Sequence, residues 1–117
     1  MQGFEDPLNR GTYPWRHEDA ALLAFYRRLG QLRRTRTSLQ VGSIAYLAAE
    51  GGTLAILRQD GEERTLTALN AGAQACELTL PWPEGTMARS ALDGQQFFPA
   101  DGKLRLTLPP LCGVILI

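Results

Sequence analysis

The apolar period of this chain changes once, near Leu39, and that change limits what the chain can fold into. Before it, Ala21, Leu22, Phe25, Leu29 and Leu32 recur at helical spacing, with Tyr26 at the margin. At about 100° per residue they cover an arc of about 140°, a wide core-facing stripe. Arg27, Gln31 and Arg34 lie opposite. After Leu39, apolar and polar residues alternate in short runs, the period-two signature of strands with one face on a core. One helix leading into an all-β remainder reads as the end of one domain followed by the whole of the next. The division expected is 1–38 and 39–117.

The helix is expected over 18–36. Its signals begin near His17, with Glu18 and Asp19 in a first turn where negative charge suits the macrodipole. Arg33, Arg34 and Arg36 near its end complement the dipole from a solvated face. Ahead of the helix, Gly3, Pro7, Gly11 and Pro14 punctuate a loop in which charged residues interleave with Tyr13 and Trp15. That texture fits a binding loop, or a linker with its tryptophan docked on a neighbour.

Strands are expected at Ser43–Ala49, Thr53–Arg58, Arg64–Leu69, Thr86–Leu92, Lys103–Leu108 and Leu111–Ile117, with Cys76, Leu78 and Leu80 on one face of another. Gly51-Gly52, Asp60-Gly61, Asn70-Ala71-Gly72, Asp93-Gly94 and Asp101-Gly102 punctuate them as turns. Short alternating strands at this spacing indicate an antiparallel β-sandwich. Trp82, between Pro81 and Pro83, reads as a side chain packed on the edge of the sandwich, with stacking on a sugar as the alternative.

Several functions are argued against. The formal net charge of zero over 117 residues is unlike a nucleic-acid binder. No apolar run approaches the length of a membrane span. Glu5 and Asp6 near the start, with no apolar segment, do not make a signal peptide. The two cysteines, Cys76 and Cys112, are too few for a disulfide framework and form no C-x-x-C pattern; in apolar strand runs they read as buried free thiols. His17 is the only histidine, so no nucleophilic triad can be assembled around it. No metal cluster or phosphate-cradling loop appears, and no cofactor is expected.

The segment from Gly3 to Trp15, with Asp6-Pro7 and Arg10 ahead of Pro14-Trp15, resembles the loop after the eighth barrel strand of α-amylase-family glycoside hydrolases. It is most similar to the neopullulanase, cyclomaltodextrinase and maltogenic amylase group, where a D-P-x-x-R segment leads to Pro-Trp. Leu22 to Arg33 resembles the last barrel helix, with Gly30 at a position usually Ile. Leu54–Arg58, Leu66–Asn70 and Leu108-Pro109-Pro110 to Ile117 resemble strands of that family's C-terminal sandwich.

The resemblance implies a mainly β chain: an antiparallel Greek-key β-sandwich of the amylase C-terminal type preceded by one amphipathic helix. It implies that 1–38 is a remnant of the (β/α)8 barrel end, and that 39–117 is the C-terminal domain. The family hydrolyses α-glucosidic bonds with two carboxylates and a third, stabilising Asp. In the family all three precede the loop that begins here at Gly3, and the chain is too short for a barrel. No catalytic residue is therefore expected. Asp6 and Arg10 match positions that contact sugar hydroxyls in the intact enzyme, a task suited to a carboxylate and a guanidinium. The expected partners are the missing barrel and, in the intact enzyme only, an α-glucan. A homodimer through the 18–36 helix is also expected, because its stripe lacks the barrel. The parent is expected to be cytoplasmic. The alternatives are a stand-alone carbohydrate-binding sandwich, with Trp82 or Trp15 as platform, and an immunoglobulin-like interaction module.

Overall fold

The computed structural model describes residues 11–117. The chain divides into two compact units between Gln31 and Leu32.

In the first unit, Pro14 O accepts the His17 amide at 2.9 Å in a turn that precedes helix α1, Ala20–Thr35. The helix starts later than its acidic residues suggest. Asp19 stands before the first turn as its cap, its Oδ1 accepting the Leu22 amide at 3.0 Å. No residue of α1 is buried.

The second unit begins with the last turn of α1, and its next element was not foreseen. Helix α2, Thr37–Val41, follows after one extended residue, Arg36 (φ −114°, ψ 115°). The strands are β1 (Ser43–Glu50), β2 (Thr53–Asp60), β3 (Glu63–Asn70), β4 (Cys76–Pro81), β5 (Ala88–Arg89), β6 (Gln96–Phe97), β7 (Lys103–Leu108) and β8 (Cys112–Leu116). All pairings are antiparallel. One sheet has the order β1-β2-β3-β8, while β4 pairs with β7 and β5 with β6. The chain thus leaves the first sheet after β3 and returns as β8 beside it, a Greek-key crossover. The expected antiparallel sandwich is present.

Alternation decides which faces meet. Ala55, Leu57, Leu66, Ala68, Val114 and Leu116 point inward from the larger sheet, and Leu78, Leu80, Leu104, Leu106 and Leu108 point inward from β4 and β7. Trp82 and Ala88 complete this core. Tight turns hold the hairpins: Gly51 and Gly52 both take positive φ, 64° and 80°, between β1 and β2. Gly42, at the α2–β1 junction, is required by close approach instead. A Cβ there would lie 2.3 Å from Ser38 O and 2.9 Å from Gln59 O.

Three local expectations are corrected. The strand expected over Thr86–Leu92 is only Ala88–Arg89. The Ser90 hydroxyl accepts from the Leu92 amide at 3.3 Å, a local turn bond that competes with the ladder. Cys112 is exposed and Cys76 half-buried, both as free thiols. Cys112 pairs with Asn70 at the ends of both strands, where the sheet stops covering it. Arg36, read as solvated, is half-buried and bonded to β3.

Candidate functional site

Asp6 and Arg10, the residues matched to substrate contacts, lie outside the described residues. Tyr13 and Trp15, in the same loop, are described: their rings meet edge to face, with centroids 4.7 Å apart, and Trp15 is 75% exposed.

Four carboxylates accept from backbone amides. Asp19 caps α1, Glu84 accepts the Gly102 amide, and Asp93 Oδ1 accepts the Gln95 amide at 3.0 Å. Glu63 Oε1 accepts the Ser38 amide at 2.7 Å, filling the role of a missing cap at the start of α2. Hydrogen bonds from Ser38, then the charge of Arg36 and the Thr37 hydroxyl, hold the Glu63 carboxyl below its usual range. Asp60 stands opposite it in register, and Glu62 and Arg64 flank it. Because the folded-state value is depressed, this contribution to stability is present above the unfolded value and fades as pH falls through the folded one. Among the described residues, no group of three or more His, Cys, Asp or Glu could hold a metal.

A cleft of about 530 Å³ opens in the sandwich unit between the β2–β3 turn and the segment after β4, lined by Arg36, Glu62, Arg64, Trp82, Met87 and Ile117. Trp82 does not offer it a stacking face. It is 4% exposed, and its indole N–H donates to Thr86 O at 3.0 Å. The sequence reading of Trp82 as packed on the sandwich agrees with this position.

Two side chains that the sequence reading treated as ordinary tie the unit together. Asn70, read only as part of a turn, is 3% exposed. Its Nδ2 donates to Gln74 O at 2.8 Å and to Leu108 O and Pro109 O at 3.1 Å each, while its Oδ1 accepts the Gly72 amide at 2.9 Å. Arg36 donates from Nε to Thr65 Oγ1 and from Nη2 to Arg64 O, both at 2.7 Å. An arginine after a basic run, or an Asn before Ala-Gly, carries no local mark of such a role.

The clearest surface feature is an asymmetry between the two outer faces of the sandwich. On β4 and β7 the outward residues are polar or charged: Glu77, Thr79, Lys103, Arg105 and Thr107. On the larger sheet the outward positions hold Ile44, Tyr46, Leu54, Ile56, Leu69 and Ile115, interrupted by Arg58, Thr65 and Thr67. Ile44 is 56%, Tyr46 68% and Leu69 43% exposed. Exposed large apolar side chains gathered on one face make it a candidate interaction surface.

The sequence profile described as "Maltogenic Amylase, C-terminal domain" matches residues 45–115. A cyclomaltodextrinase of Geobacillus thermopakistaniensis (strain MAS1) is 30% identical over 115 residues, which cover 94% of this chain and 20% of the relative. An amylopullulanase of Thermoanaerobacterium saccharolyticum is 24% identical over the whole of this chain, which spans 10% of that protein. The crystal structure of an Anoxybacillus α-amylase superposes with a TM-score of 0.88 at 29% identity, covering 99% of this chain and 26% of that one. The chain thus spans only a small part of these three proteins, and its fold aligns with that of the α-amylase. This chain belongs to the family of maltogenic amylase C-terminal domains.

Proposed function

We propose that this chain serves as the non-catalytic C-terminal domain of an α-amylase-family glycosidase that acts on α-glucans or maltooligosaccharides, and that its apolar sheet face packs on the catalytic domain. The asymmetry of the two outer faces carries this reading. A face bearing Ile44, Tyr46 and Leu69 is suited to burial, and its polar counterpart on β4 and β7 to water. Residues 1–38 supply the end of the barrel in this reading, and Asp6 and Arg10 hold sugar hydroxyls once the barrel is present. The parent works in the cytoplasm; among the described residues no helix is long and apolar enough to cross a membrane. A carbohydrate-binding module draws no support from Trp82, whose ring is covered.

The test compares the chain with its parent. By itself the chain is expected to show no turnover of pullulan, cyclodextrins or starch. In the full-length enzyme, Ile44→Glu or Leu69→Glu should lower the melting temperature by several degrees while kcat/KM at low temperature holds. Turnover by the purified chain that is lost on mutating one of its own carboxylates would overturn the non-catalytic role. A parent whose stability ignores both substitutions would overturn the packing face.

The chain alone also leaves Leu22, Phe25 and Tyr26 exposed on α1, at 52%, 45% and 65%. Covering each would be worth roughly 1.5–3 kcal/mol at full burial. A second copy meets that need through a two-fold helix pair over 18–36. Light scattering across a dilution series should give a dimer that Leu22→Glu converts to monomer. A strict monomer at high micromolar concentration would remove the pairing.

A further inference from the structure

Neither glycine nor proline explains why α1 stops, and its last residue adds only a local bond from the Thr35 hydroxyl to Leu32 O at 3.2 Å. From Gln31 to Val41 there is neither glycine nor proline, yet α1 ends at Thr35, Arg36 is extended, and α2 begins at Thr37. A sharp interruption without those residues needs another cause. Three side-chain anchors surround the break. Gln40 Nε2, from α2, donates to Arg33 O at 3.0 Å and Arg34 O at 2.9 Å, carbonyls near the end of α1. The Arg36 guanidinium is held on β3 by Thr65 Oγ1 and Arg64 O. Glu63, also on β3, takes the Ser38 amide near the start of α2.

We propose that Arg36, Gln40 and Glu63 act together as a strap that holds open a break in what would otherwise be one helix running from Ala20 to Val41. The element has two arrangements. In the strapped one, orphan groups at both helix ends find side-chain partners, and Arg36 is pinned in extended backbone. In the released one, those same carbonyls and amides pair along a continuous helix, as a run free of glycine and proline allows. The β3 strand biases the equilibrium toward the break, because two of the three anchors end on it. The strap thereby fixes where the helix gives way to the sandwich. All three anchors are bonds within this chain, so the break needs no larger enzyme around it.

The experiment is an NMR comparison of the whole chain with Arg36→Ala/Gln40→Ala/Glu63→Ala. The Cα secondary shift at position 36 should move from extended to helical, and amides 36–40 should gain slow exchange, while Leu104 and Trp82 signals report an intact sandwich. The single variants Gln40→Ala and Glu63→Ala remove side-chain bonds at exposed and half-buried positions and leave the apolar core untouched. They keep the test decisive if the triple variant does not fold. Each should shift the equilibrium about fivefold, the usual weight of one lost cap, visible as a partial movement of the same shift. Position 36 remaining extended in the folded triple variant, or in both single variants, would overturn the proposal.

Discussion

Leu66→Ala is expected to lower the unfolding free energy by about 3 kcal/mol. Leu66 is 0% exposed in the middle of β3, opposite Leu57 on one side and Leu116 on the other. The strand is held on both edges by ladder bonds, so its backbone cannot sink into the space that the lost methyl groups leave. The opposing layer of Leu104, Leu106 and Leu80 belongs to a separate two-stranded sheet whose own pairing keeps it in place. A site that cannot collapse retains its cavity, and the cavity adds to the lost transfer free energy. Domains of this size have a total stability of about 5–15 kcal/mol, so the loss is a large fraction of the whole. Urea denaturation measures it. Leu111→Ala, at a residue 80% exposed in the β7–β8 turn, is the control and should change little. A Leu66→Ala loss under about 1 kcal/mol would mean that the interior relaxes far more than this packing allows.

Asn70→Ala is expected to cost about 2–4 kcal/mol, although the side chain is polar and lies at a strand end. The turn after β7 contains Pro109 and Pro110, which have no amide hydrogens to offer. The carbonyls of Leu108 and Pro109 therefore depend on a donor from elsewhere, and Asn70 Nδ2 is that donor. The same nitrogen reaches Gln74 O, so two hydrogens serve three acceptors and one is shared. Truncation strands these carbonyls and the Gly72 amide together, at a position 3% exposed. Unmet buried groups cost roughly 1–3 kcal/mol each, reduced where water can reach. Asn70→Asp separates geometry from donation. The new carboxyl keeps the shape but, once ionised, aims negative oxygens at carbonyls. Its folded-state pKa is raised, so the variant should be most stable below the unfolded value of about 3.9 and lose stability as pH rises past it. A pH-independent Asn70→Asp, or an Asn70→Ala loss within about 0.5 kcal/mol, would show that the two turns do not rely on this side chain.

Much of the fold was legible because its causes are local. The stripe from Ala21 to Leu32 announces α1 through spacing alone, and Lys103 to Leu108 announces β7 by strict alternation, which the structure repeats as exposed and buried positions in turn. Gly51-Gly52 and Asp60-Gly61 mark hairpins because positive φ is needed within two residues of each strand end. The features that were missed have distant causes. Glu63 and Ser38 are 25 residues apart, Arg36 and Thr65 are 29 apart, and Asn70 and Pro109 are 39 apart. No window along the chain contains both partners of any such bond.

The surface divides in the same way. The run from Ser43 to Ala49 reads as a strand, and a strand promises one covered face without saying which. Only the pairing of β1 with β2, and of β4 with β7, decided that Leu66 and Leu104 share an interior while Ile44, Tyr46 and Leu69 remain outside it. By itself the sequence determined α1, most of the longer strands, the turns and the order of helix before sandwich, because propensity and periodicity act over a few residues. The tertiary structure decided which polar side chains carry the joints and which apolar ones stay outside the core. Those outcomes depend on what the far end of the chain brings alongside.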